Sequence, residues 1–307
     1  MINWPSIPLL ANMMATAKKL KEANVPVPKG ILYRGKVKRD GTFAAIESDG
    51  VNMRFYSRNQ ELSLENDNFG FARQFKGFPH ATHQGLVTVY GEWSGPGIQN
   101  KTIDAKFPER KFFPFLMEVD GKQVDINKLT DYWPALAWEV KIIPTRIILE
   151  LCFDGSSNED EVSFINQKVK EIETVDPDAL EWYGLTGMGE GYVFEAYVSD
   201  SDIPAELRYF KAKVPELRVK LSAAAASTKL DSYDPTSFVK AFVTEARCRQ
   251  FFGAFPHDKK NTNAFINAVL ADVMKESVED RAANSISEES VTPAIKVAIR
   301  TWYLGTF

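Results

Sequence analysis

Two pairs of lysines in the 307-residue chain have the spacing for amine and phosphate chemistry. Lys36 and Lys38 stand two apart just before Arg39-Asp40-Gly41, and Lys211 and Lys213 stand two apart far downstream. An amine attacks only when unprotonated, and cationic neighbours lower its pKa by disfavouring the charged form. Residues two apart on a strand share a face, so Lys211 and Lys213 can point together at one triphosphate and stabilise charge on the phosphate under attack. Each feature also has an ordinary explanation. Lys38-Arg39-Asp40-Gly41 is compatible with a hairpin turn of solvated charges, and neighbouring lysines are commonly a solvated strand face.

The residues downstream of Lys38 change that weighting. Arg58 stands at a strand end, succeeded by Tyr90-Gly91-Glu92-Trp93-Ser94-Gly95-Pro96-Gly97-Ile98-Gln99, then Phe112-Phe113-Pro114-Phe115, then Glu190-Gly191-Tyr192-Val193, then Lys211-Ala212-Lys213. This ordered set resembles the nucleotidyltransferase motifs of ATP-dependent ligases and capping enzymes. The run from Gly91 to Gln99 is similar to the third motif of the RNA ligases typified by bacteriophage T4 RNA ligase 2 and the RNA-editing ligases. Five segments in the same order are hard to explain as separate accidents.

The resemblance implies a role for each residue. Lys38 is the nucleophile that takes AMP from ATP. Lys211 and Lys213 hold phosphates and act in catalysis. Arg58 and Glu92 bind the ribose or order the site, and Lys36 belongs to the same nucleotide site. Glu190 helps place magnesium, or manganese in its place, and Gln99 and Asp40 face the substrate. Phe115 stacks on the nucleobase; alternation puts Phe113 on the same strand face, and both also suit a core. The chain departs from the motif pattern at Val37, Phe43, Leu116 and Glu195, where the family commonly has Glu, Asn, Asp and Lys.

The implied activity is the joining of 3′-hydroxyl and 5′-phosphate RNA ends, or of nicks containing RNA, through lysyl-AMP and a 5′-adenylylated strand, as in RNA repair. A DNA ligase, a capping guanylyltransferase using GTP, and an inactive protein that binds nucleic-acid ends are the alternatives.

The remaining sequence describes the scaffold. With 44% hydrophobic and 25% charged residues, collagen-like, disordered and disulfide-scaffold classes are excluded. A net charge of −4 argues against a surface that is basic throughout but leaves room for a local basic groove. The two cysteines, Cys152 and Cys248, lack metal-site or redox-motif spacing. His80, His83 and His257 receive no role. No run approaches eighteen apolar residues and the start lacks signal-peptide character, so the expectation is a cytoplasmic protein of a bacterium or phage-infected host. On the same expectation it has no membrane contact, acts as a monomer, and has nucleic acid as its partner.

Apolar residues from Leu9 to Leu20 recur at helical spacing, closed by Pro26 and Pro28. From Ile31 to about Lys213, short β-branched or aromatic runs alternate with turn residues, at 42–46, 53–57, 86–92, 111–119, 142–151, 192–197 and 208–214. The fold class is therefore α+β: a strand-rich nucleotidyltransferase domain over 1–222 with an N-terminal helix, and a small all-helical domain over 223–307. The alanine run near Ala223 marks the boundary. Beyond it the expectation is a helix from Asp234-Pro235 to near Gly253, another from Asn261 to Met274, and a third from Thr292-Pro293 to Gly305.

Overall fold

The computed structural model describes residues 7–197, 203–214, 235–252, 254–255, 258–278, 281 and 286–305. The boundary expected between residues 222 and 223 lies outside them, as does His257. The opening helix α1 spans Leu10–Glu22, and its Met13 and Ala17 are buried. Ten strands succeed it among the described residues: β1 Gly30–Val37, β2 Gly41–Ser48, β3 Met53–Ser57, β4 Glu61–Leu62, β5 Val87–Ser94, β6 Lys111–Val119, β7 Lys122–Val124, β8 Thr145–Cys152, β9 Gly191–Ala196 and β10 Tyr209–Lys213. Short helices α2 (Phe71–Phe75), α3 (Leu129–Tyr132) and α4 (Pro134–Glu139) interrupt the first eight strands, and α5 (Glu159–Ile172) and α6 (Pro177–Tyr183) precede β9.

The strands form two sheets, one of four strands in the order β10-β9-β1-β8 and one of six in the order β4-β3-β2-β5-β6-β7. Every pairing between these strands is antiparallel. The alternation of β2 shows how the layers divide. Ala44 and Ile46 join a core with Phe71, Phe75 and Trp133 beneath α2 to α4, whereas Phe43 and Ala45 join Tyr56, Tyr90 and Leu116 on the other face. A third core, including Tyr33, Phe194, Phe210, Ile165 and Ile172, sits where α1 and α5 cover the four-stranded sheet. Two larger cores cover the outer faces, and the small cluster around Phe43 and Leu116 borders a cleft between the two sheets.

The C-terminal helices are α7 Pro235–Phe242, α8 Glu245–Phe252, α9 Thr262–Glu276 and α10 Glu288–Gly305. They share a core of their own, with Phe265 stacked on Tyr303 at 4.3 Å. Two details differ from the sequence expectation. The single helix expected up to Gly253 is two, because Thr244 breaks the run: its hydroxyl accepts from the Arg247 N–H at 3.2 Å and starts α8. The last helix begins a turn before Thr292, with Pro293 inside it. Proline has no N–H, so one helical bond is lost there while burial of Val291, Ile295 and Ile299 holds the helix. No helix among the described residues is long and apolar enough to cross a membrane.

Candidate nucleotide site

The register of three strands lays out the site. Across β1, β9 and β10, Arg34 pairs with Glu195 and then Tyr209, and Lys36 with Val193 and then Lys211, while Lys213 pairs with Gly191. Just beyond the end of β1, the Lys38 N–H donates to the Gly191 carbonyl at 2.9 Å. Lys36 of β1, Lys38 just past its end, and Lys211 and Lys213 of β10 therefore line one face, as period-two geometry requires. Glycine is obligatory at 191: its φ is +137°, and an added Cβ would meet the Ala212 carbonyl oxygen at 2.1 Å. Gly41 is held similarly close, where a Cβ would lie 2.4 Å from the Trp93 carbonyl oxygen.

A cavity opens between the two sheets. Lys36, Lys38, Val193, Glu195, Tyr209, Lys211 and Lys213 line it from the four-stranded side. Phe43, Arg58, Glu92, Phe115 and Leu116 line it from the six-stranded side, and Glu276 reaches it from α9. Of the residues singled out in the sequence, Lys36, Lys38, Arg58, Glu92, Phe115, Lys211 and Lys213 thus meet in one cleft. Glu190 lies directly behind it, with Oε2 2.6 Å from Lys38 Nζ and Oε1 2.8 Å from Lys213 Nζ.

Asp40 and Gln99 sit elsewhere. The Asp40 carboxylate accepts from the Thr102 hydroxyl at 3.2 Å, and Gln99 Nε2 lies 3.5 Å from the Gly41 carbonyl oxygen. Both brace the turn after Lys38, and neither lines the cavity.

Phe113 and Phe115 also part company. Between Tyr90 and Gly91 the register with β6 slips, so that Tyr90 faces Leu116 and Gly91 faces Pro114. The extra residue is Phe115, and such a bulge re-aims side chains. Phe113 is fully buried, stacked on Trp182 at 5.5 Å, while Phe115 borders the cavity 6.5 Å from the Phe43 ring.

Electrostatically the site is a lattice of paired charges. Burial alone lowers the Lys38 pKa, but Glu190, Glu92 and Asp40 outweigh it and hold the amine above the ordinary lysine value. This reverses the expectation that cationic neighbours lower it, because the carboxylates stand closer to Lys38 than that expectation allowed. Glu190 is pulled down to about 2: burial opposes its charge, but Lys213 and Lys38 prevail. Glu92 is pushed up to about 7 by burial, only partly offset by Lys38 and Arg58.

The same pairing bears on metal binding. Among the described residues, no three of His, Cys, Asp or Glu converge to hold a metal ion. Both Glu190 oxygens are engaged by lysines, Oε2 by Lys38 and Oε1 by Lys213. The residues do not fit a resident metal centre.

Three residues to which the sequence assigned no role in the site prove to support it. Arg39, 2% exposed, ion-pairs with Asp104 at 3.2 Å and with Asp176, whose carboxylate also caps α6. It anchors the turn that carries Lys38, and only the fold reveals its burial. Glu195 joins Lys36 at 3.2 Å, and Glu276 joins Arg58 at 2.7 Å. Strand alternation from Val193 places Glu195 on the cavity face, but nothing in the sequence links position 276 to position 58.

No protein-family model matches the chain, and no curated protein sequence matches it. Among solved structures, the fold is similar to Naegleria gruberi RNA ligase with PPi, at 17% identity and a TM-score of 0.41, covering 69% of this chain and 56% of that one. Mutants of the same ligase with AMP and Mn (16% identity, TM-score 0.42) and with ATP and Mn (17%, 0.41) align over the same shares of both chains. The chain thus spans little more than half the length of these structures.

Proposed function

We propose that this chain is an ATP-dependent polynucleotide ligase that joins 3′-hydroxyl and 5′-phosphate ends of RNA, or of nicks containing RNA. The observation that carries the proposal is the placement of Lys38. It shares one cleft with the cations Arg58, Lys211 and Lys213 and with an apolar wall of Phe115, Leu116 and Tyr209. The cations suit phosphates and the apolar wall suits a base, and the proposed pose sets the Lys38 amine at the α-phosphate.

In the first step, Lys38 Nζ forms a bond to the α-phosphorus of ATP. The bond from that phosphorus to the bridging oxygen breaks, pyrophosphate leaves with the electron pair, and the Lys38 proton passes to solvent. Lys213 and Arg58 stabilise charge on the departing phosphates, and Lys213 is held in place by Glu190. In the second step, an oxygen of the 5′-phosphate attacks the same phosphorus; the nitrogen–phosphorus bond breaks and the amine regains a proton. In the third, a 3′-hydroxyl oxygen bonds to the activated 5′-phosphorus, the bond from that phosphorus to the AMP oxygen breaks, AMP leaves with the electron pair, the hydroxyl proton passes to solvent, and a phosphodiester remains. Magnesium enters on the nucleotide as part of the substrate, since such ions are commonly held by phosphates with few protein ligands. RNA is read through phosphates and the 2′-hydroxyl.

Joining of an end-labelled nicked duplex with RNA at the 3′-hydroxyl side tests the proposal. Sealing by the unaltered chain and its loss in Lys38→Ala are expected. Equal sealing by both proteins removes the mechanism.

A further inference from the structure

Beside the apolar wall of the cleft lies one buried polar cluster. Lys36 Nζ donates to the Phe115 carbonyl oxygen at 3.0 Å and to Glu195 Oε2 at 3.2 Å. Lys36 and Glu195 are each 8% exposed, and both line the cavity beside Phe115 and Tyr209. Gln123 Nε2 donates to Glu195 Oε1 at 2.8 Å and fixes the carboxylate from behind. Because Nζ bonds to both oxygens, the three groups form a row of acceptor, donor, acceptor. An ammonium has three donors and two are used, which leaves one for a ligand.

From this row we infer that Lys36, Glu195 and the Phe115 carbonyl read the edge of the nucleotide base and select adenine. The strand register sets the distance. Lys36 lies in β1 two residues before Lys38, on the side away from Lys213, and the inferred pose sets the α-phosphate at Lys38 and the base against the row. Adenine offers an amino donor at C6 beside the N1 acceptor, and that pair matches an acceptor beside a donor in either direction along the row. A 6-oxopurine can give O6 to Lys36 and N1–H to one oxygen only by setting its N7 acceptor against the other. A buried acceptor facing an acceptor is left unsatisfied, and sites built on hydrogen bonds reject such analogues strongly. A purine with amino groups at both C2 and C6 presents donor, acceptor, donor, which complements the whole row.

This selectivity rests on the nucleotidyl transfer proposed above, and the experiment separates the two. Lys38-dependent labelling is measured with ATP, 2,6-diaminopurine riboside triphosphate, ITP and GTP, each carrying label at the α-phosphate. The expected order places the diaminopurine nucleotide at or above ATP, with ITP and GTP lower by about tenfold or more. The doubly altered protein Lys36→Met, Glu195→Gln loses the charged pair together, so neither partner is left buried alone. Its preference for ATP over ITP is expected to fall toward unity. Comparable labelling by all four nucleotides in the unaltered chain overturns the inference, as does an unchanged ATP preference in the double variant. Labelling by none of them overturns the nucleotidyl-transfer proposal, and the base-reading assignment falls with it. The comparison among nucleotides decides the matter even where the double variant fails to fold.

Discussion

Glu276, the last residue of α9, holds Arg58, the residue just after β3, through a 2.7 Å ion pair across 218 positions of sequence. The contact brings the C-terminal helices to the mouth of the cleft, joined by a second bond from Gln250 to the Thr42 hydroxyl at 3.0 Å. Both partners line the cavity, and the Glu276 carboxylate sits where Arg58, Lys211 and Lys213 converge. Burial resists its charge, but Arg58 and Lys211 hold its pKa below the ordinary value.

A carboxylate seated there competes with the phosphates of an incoming nucleotide for Arg58. Replacing it by Glu276→Gln is expected to lower the ATP concentration giving half-maximal labelling of Lys38 by about two- to fivefold, the span of a partly exposed ion pair. Labelling measured across ATP concentrations checks this, and a raised requirement for ATP contradicts it.

Glu92 makes stability depend on pH in a defined direction. Its folded pKa, about 7, lies above the ordinary carboxylate value because burial penalises the charge. Between about pH 4.5 and 7 the folded state therefore binds more protons than the unfolded one, so this group's contribution falls as pH rises. Glu92→Gln removes that cost. The variant is expected to melt higher than the unaltered chain at pH 8, with the difference shrinking toward pH 5, while joining ends poorly. Thermal melts at the two pH values provide the comparison.

Arg39 tests the support of the nucleophile. Arg39→Met leaves Asp104 and Asp176 buried without their cation, a change that costs roughly 3–5 kcal/mol. Asp104 is already raised to about 6 by burial, with Arg39 only partly offsetting it, so acid relieves part of the loss by neutralising the carboxyl. Denaturant unfolding at pH 7.5 and pH 5.5 is expected to show the larger penalty at the higher pH. An unchanged midpoint at both would show that Arg39 does not anchor the turn.

Acid acts oppositely through Glu190. Its folded pKa, about 2, is depressed by Lys213 and Lys38 despite burial. The stability it contributes is present above about pH 4.5 and is lost as pH falls toward 2. Glu190→Gln is expected to flatten the low-pH arm of the stability profile and to slow labelling of Lys38, because Lys213 loses its anchor. Melts recorded between pH 3 and 5 check the first expectation and labelling rates the second.

Much of this architecture was legible because it rests on local patterns. Alternation over 42–46 and 111–119 located β2 and β6, and the period of Leu9 to Leu20 located α1. The lysine pairs were legible because period-two spacing on a strand fixes a shared face. Other features depend on contacts between distant residues. The bulge at Phe115 arises from the pairing of β6 with β5, so alternation alone placed Phe113 and Phe115 together. The raised pKa of Lys38 comes chiefly from carboxylates 152 and 54 positions away in sequence, at Glu190 and Glu92, with Asp40 adding less, and spacing around Lys38 does not show the distant pair. The break between α7 and α8 was the exception: Thr244 is a local capping signal that the longer apolar pattern obscured.

Covalent labelling of Lys38 tests the central claim most directly. The purified chain, cleared of any bound AMP with pyrophosphate, is incubated with magnesium and ATP labelled at the α-phosphate, beside Lys38→Ala, and both are resolved on a denaturing gel. The account predicts an acid-labile labelled band from the unaltered chain and none from the variant. A folded chain that stays unlabelled, or a variant that labels equally, contradicts it.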